Sequence, residues 1–128
     1  MRRRWRKFSR KAKHIGQLDR PALHEARKAL KSVRYAFAQY APFLVSTGAG
    51  RFNKRMQKLQ DQFGYLNDVE SAKRLIERLS PADARGEMNC AIGYVLGIHM
   101  ERAGRAHRRL AAQSSKLAAT PMARTLSR

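Results

Sequence analysis

Between Leu23 and Tyr35 the chain sets His24, Arg27, Lys28, Lys31 and Arg34 at helical spacing. Four cations and an imidazole then share one ribbon of helix surface, with the Tyr35 hydroxyl beside it. The chemistry open to such a ribbon is electrostatic. Guanidinium grips phosphate oxygens bidentately, ammonium acts as a point charge, and imidazole and phenol each add a hydrogen bond. Like charges three or four residues apart repel by roughly a few tenths of a kcal/mol per pair. No acid interrupts Arg27–Arg34, so the ribbon is suited to an anion supplied from outside. The plain alternatives are a structural, hydrogen-bonded His24 and a Tyr35 that packs with its hydroxyl satisfied.

Other chemistries lack their residues. His24-Glu-Ala-Arg-Lys28 has no second histidine to complete a zinc helix, and Cys90 is the sole cysteine, without a ligand partner at usable spacing. There is no nucleophile elbow and no glycine-rich phosphate loop ahead of a Lys-Ser/Thr pair. Nine acids are scattered along the chain, which argues against a multi-carboxylate metal site. The expectation is a non-catalytic protein with no metal and no cofactor.

Charge narrows the class further. Lys and Arg number 28 against 9 Asp and Glu, a formal net charge of +19 over 128 residues. Solubility alone does not call for so much, and the excess points to a polyanion: nucleic acid, inorganic polyphosphate or an anionic membrane surface. One cysteine cannot form an intramolecular disulfide, which suits a reducing, cytoplasmic setting. Its apolar neighbours Met88, Ala91 and Ile92 predict a buried, inert thiol. The apolar run Cys90–Met100 is too short to span a bilayer, and Met1–Lys13 lacks the apolar segment of a secretory signal.

The elements that must position these side chains read as helices. Trp5, Phe8, Ala12 and Ile15 line one face of a first helix, Met1–Ile15, whose other faces carry Arg2, Arg3, Arg6, Lys7, Arg10 and Lys11. Asp19 predicts an N-cap, with Pro21 in the first turn, for a second helix reaching about Leu44. Its apolar stripe is Leu23, Ala26, Leu30, Val33, Phe37, Ala41 and Leu44, and Pro42 bends or ends it. Ser46–Gly50 reads as a loop. Arg51–Leu79 reads as one long helix, despite Gly64 and Asn67-Asp68, on a stripe of Phe52, Met56, Leu59, Phe63 and Leu66. Asp61 and Asp68 are either caps and surface acids or partners of bases on adjoining helices. Ser80-Pro-Ala-Asp83 opens a fourth helix, to about Leu117, with Gly93 and Gly97 spaced for close helix contact. Residues 118–128 read as a flexible tail. No period-two alternation suggests a strand.

Two segments resemble a known family. Leu-His-Glu-x-Arg-Lys-x-x-Lys-x-x-Arg-Tyr, filled here by Leu23–Tyr35, and Leu-Gln-Asp-x-x-Gly-x-Leu-Asn-Asp, filled by Leu59–Asp68, are similar to the second half of the conserved histidine α-helical (CHAD) domain. Ile92–Gly97, with the Arg-rich half that follows, resembles the family's last helix. The resemblance implies an all-α four-helix bundle of long antiparallel helices over residues 1–117, equivalent to one half of the domain, that binds inorganic polyphosphate. At half the usual length, the chain either pairs as a homodimer, is a truncated relic, or works as one half.

The expected polyphosphate site combines His24, Arg27, Lys28, Lys31, Arg34 and Tyr35 with Arg6 and Arg10, with Lys54, Arg55 and Lys58, and with Arg102, Arg105 and Arg109. No base-reading device is evident, which favours phosphate over sequence recognition. The alternatives are a nonspecific nucleic-acid-binding protein and a membrane-surface or ribosome-associated basic protein. The expected location is the cytoplasm, at polyphosphate granules.

Overall fold

The computed structural model describes residues 1–43, 48–79 and 86–127, and within these every regular element is helical. In chain order they are α1 (Arg2–Ala12), a 3-10 turn (Ile15–Gln17), α2 (Arg20–Tyr40), a 3-10 turn (Ala41–Phe43), α3 (Gly48–Leu79), α4 (Gly86–Ala118) and α5 (Pro121–Ser127). Helix α1 packs on α2, α2 on α3 and α3 on α4. The C-terminal half of α4 closes the circuit. It packs on the Ile15–Gln17 turn, where His107 Nε2 lies 3.0 Å from the Ile15 carbonyl oxygen.

The start of α2 follows its sequence. The Ala22 N–H donates to Asp19 Oδ1 at 3.0 Å, and Pro21 sits in the first turn where its missing N–H is harmless. The helix ends at Tyr40, two residues before Pro42, whose ring clashes with a helical carbonyl four residues back. Residues 44–47 lie outside the described residues, including Leu44 and the Ser46-Thr47 part of the expected loop. Gly48–Gly50 depart from that loop, because they form the first turn of α3. Ala49 is buried there, one turn before Phe52, and this burial offsets part of the roughly 1 kcal/mol per glycine of helix propensity. Helix α3 then runs unbroken through Gly64 and Asn67-Asp68. The expected Ser80–Asp83 cap lies outside the described residues.

The core is aromatic at its centre. Trp5 lies 5.7 Å from Phe8 and 5.5 Å from Phe52, and Phe37 lies 5.2 Å from Phe52, all tilted. Leu30, Val33, Met56, Leu59, Phe63, Leu110 and Leu117 surround them. A fifth helix replaces much of the flexible tail expected over 118–128. Thr120 accepts from the Ala123 N–H at 3.3 Å, Pro121 begins the helix, and Ala123 is fully buried with α5 against α1.

No described residue between Phe63 and Leu110 is fully buried. The outer halves of α3 and α4 therefore form a two-helix arm beyond the core. Cys90, expected to be buried, is exposed on it. A Cβ added at Gly93 or Gly97 would meet nothing within 4 Å, so neither glycine makes the close helix contact expected of it.

Truncating Leu30, which is wholly buried, to alanine should cost about 2–5 kcal/mol through the cavity left behind. Asp19→Ala should cost about 1 kcal/mol through loss of the α2 cap. Thermal unfolding followed by circular dichroism measures both, with the larger fall in Tm expected for Leu30→Ala.

Candidate functional site

The ribbon on α2 is placed by the apolar stripe beside it. Because Leu30 and Val33 turn inward, Arg27 and Arg34 come to the edge that α2 shares with α3, and both are half-buried there. The Arg34 guanidinium donates to Gln60 Oε1 of α3 at 2.9 Å. The Arg27 Nε–H is buried and has no hydrogen-bond partner among the described residues. Such a donor is costly to leave unmade. Arg27 shares a small hollow with His24, Phe63, Asn67 and Glu70, and Arg20 closes it by pairing with Glu70 at 2.7 Å. His24 and Lys31 are exposed.

The outer side of the ribbon behaves differently. Tyr35 is 54% exposed, and Lys31 Nζ and the Arg34 guanidinium lie 5.7 and 5.9 Å from its ring centre. This cation–π placement holds both cations next to an open phenol. Lys28 turns away to Glu25, 2.6 Å distant, and this hydrogen-bonded ammonium holds the Glu25 carboxyl below the usual carboxylate range.

A second basic row follows the seam between α3 and α4. Arg102, Arg105 and Arg109 line a hollow of about 520 Å³ with Asp61, Tyr65 and His99. Tyr65 Oη lies 3.2 Å from His99 Nδ1. Further along, Arg55 and Lys58 face Lys116 and Gln113 across a hollow of about 390 Å³. Arg105 is held by Glu101 at 2.6 Å, and this hydrogen bond pushes the guanidinium pKa up.

The fourteen expected residues thus fall on separate surfaces. Gln60 and Asn67 mark the α2 flank of α3, while Lys58, Gln62 and Tyr65 mark its α4 flank. The helix lies between the two rows, and exposed Lys54 belongs to neither hollow. Arg6 and Arg10 line a third concavity on α1 with Arg2, Arg3 and Lys13. Arg4 of α1 reaches α2, its Nη1 donating to the Ser32 carbonyl oxygen at 3.4 Å. Asp61 and Asp68 make no ion pair among the described residues; the acid that ties α3 to α2 is Glu70. Phe63 and Leu66 line the same hollow as Glu70, which places it on the side of α3 that packs under α2. Lys116 continues the Arg102–Arg109 stripe, as its spacing predicts, while Gln60, Tyr65 and His99 join the rows without having been expected there. The spacing His99-Arg102-Arg105-Arg109 carried the signal for His99.

Glu101→Gln should release Arg105 and strengthen retention on an anionic column more than Glu77→Gln. The latter makes the same charge change on the arm, away from the row. The expected gain is about two- to five-fold in affinity, the range of one exposed ion pair. Equal retention of the two variants would exclude the α3–α4 row as the contact surface.

A family model for the CHAD domain matches residues 1–77 of the chain. The match takes in α1, α2 and nearly all of α3, and leaves out α4 and α5. Neither a curated protein nor a solved structure matches.

Proposed function

We propose, from the premise that this chain belongs to the CHAD domain family, that it binds inorganic polyphosphate without catalysis. The family is known for polyphosphate binding. The observation that carries the reading to particular residues is the α2–α3 edge. There Arg34 is oriented by Gln60, Arg27 holds a buried donor with no partner, and Lys31 stands beside the open Tyr35. All of these lie inside the matched segment. Oriented guanidinium groups lose less freedom on gripping phosphate. In this reading His24 and Tyr35 add donors, and the α4 row of Arg102, Arg105 and Arg109 extends the track for a long ligand. Helices α1–α4 constitute a bundle equivalent to half of a CHAD domain, with α5 appended. The setting is the cytoplasm, at sites of polyphosphate storage.

Nucleic acid is the competing polyanion, because +19 attracts any phosphate chain. Salt dependence does not separate the two, since both ligands release counterions. Competition does. At equal phosphate concentration and near-physiological salt, duplex DNA should fail to displace labelled polyphosphate; efficient displacement would replace this reading with the nucleic-acid one.

The triple change Arg27→Gln, Lys31→Gln and Arg34→Gln should weaken polyphosphate binding at least tenfold with helicity unchanged. Charged hydrogen bonds contribute roughly 1.5–3 kcal/mol each, and Gln keeps a good helix propensity. The matching triple change at Arg102, Arg105 and Arg109 should cost less. The reverse order, read from titrations of both variants, would move the primary contact to the α3–α4 seam.

A further inference from the structure

The arm carries the opposite chemistry to the rest of the chain. Residues 86–101 contain no lysine or arginine, and residues 67–79 balance Asp68, Glu70 and Glu77 against Lys73, Arg74 and Arg78. In a chain of net charge +19 this is the near-neutral region. It is also apolar and uncovered: Tyr94 is 73% exposed, Val95 54%, Leu75 50%, and Leu79, Met88 and Met100 are exposed as well. Between the two helices runs an apolar groove of about 500 Å³, floored by Val69, Ala72, Ile76, Ile92, Val95 and Leu96. From Cys90 to Ile98 the outer half of α4 carries no charged or amide side chain on any face, a pattern that belongs to a helix covered on every side.

We infer that the arm is a self-association surface, on which a second copy of this chain lays its own α3–α4 arm to form a four-helix, two-fold pair. Three observations select this occupant. Copies repel one another wherever their basic surfaces meet, so the near-neutral arm is where two chains of this charge can approach. A two-helix unit with one open groove is its own complement under two-fold symmetry, the commonest way homo-oligomers close. In the antiparallel pairing Arg78 at the tip of one arm, which makes no ion pair among the described residues, comes to the root of the other, where Asp68 lines the groove and likewise has no ion-pair partner among the described residues. A polyanion finds no cation on α4 there. No helix among the described residues is long and apolar enough to cross a bilayer.

The inference is independent of the ligand, and its test omits polyphosphate, which would bridge cationic chains by itself. Sedimentation equilibrium of the full chain in moderate salt should give twice 14.6 kDa at tens of micromolar. Leu75→Glu and Val95→Glu each replace an exposed side chain, so helicity should hold. Each change enters a two-fold interface twice and should raise the dimer dissociation constant by roughly 30-fold or more, the weight of a central interface residue. A wild-type chain that stays monomeric at several hundred micromolar overturns the proposal. So does a dimer that survives both substitutions. A monomer whose arm instead binds uncharged phosphatidylcholine vesicles, and loses that binding in Val95→Glu, overturns it in favour of a lipid surface.

Discussion

The contact between Trp5 and Phe52 ties the first helix to the third, and the remaining packing depends on it. Their rings lie 5.5 Å apart, and Phe8 and Phe37 complete a cluster drawn from α1, α2 and α3. A chain with nineteen surplus positive charges resists compaction, because its cations repel as they are brought together. The apolar cluster must outweigh that repulsion. On α1 the division is strict: the buried residues are Trp5, Phe8 and Ala12, and Arg2, Arg3, Arg4, Arg6, Lys7 and Arg10 are all exposed.

The scarce acids are used locally. Glu25, Glu70, Glu77 and Glu101 each meet a neighbouring cation, and only Glu70 reaches across to another helix. Exposed pairs of this kind add little to stability. Their effect is on placement: they hold Arg20, Lys28 and Arg105 in fixed directions, while Gln60 orients Arg34 without neutralising it. An uncharged orienting partner leaves the full attraction of the guanidinium for an anion.

Much of this was legible in the residues. The one-sided stripes of α1, α2 and the first half of α3 contain most of the residues buried from Trp5 to Phe63, though not Ala29, Ala36 or Ala49, and Asp19 with Pro21 locates the start of α2. The arm was not legible, because periodicity identifies an apolar surface without saying whose atoms cover it. The pattern therefore predicts a buried Cys90 and closely packed Gly93 and Gly97, and all three are open. The division of the cations among three surfaces was equally hidden, since it depends on which flank of α3 each neighbouring helix occupies. Helix α5 has a readable signal in Thr120-Pro121, but seven residues are too few for a stripe, and the burial of Ala123 where α5 packs on the other helices decides the matter.

Helix α3 belongs to both the core and the arm. Its 32 residues run without interruption from Gly48, next to the buried Ala49, to the exposed Leu79, a rod of about 48 Å. Gln60, which steers Arg34, sits near its midpoint. The outer half of the rod reaches beyond the core while its middle supplies the edge against which Arg27 and Arg34 rest, so a single helix carries both the apolar groove and the partner that aims Arg34.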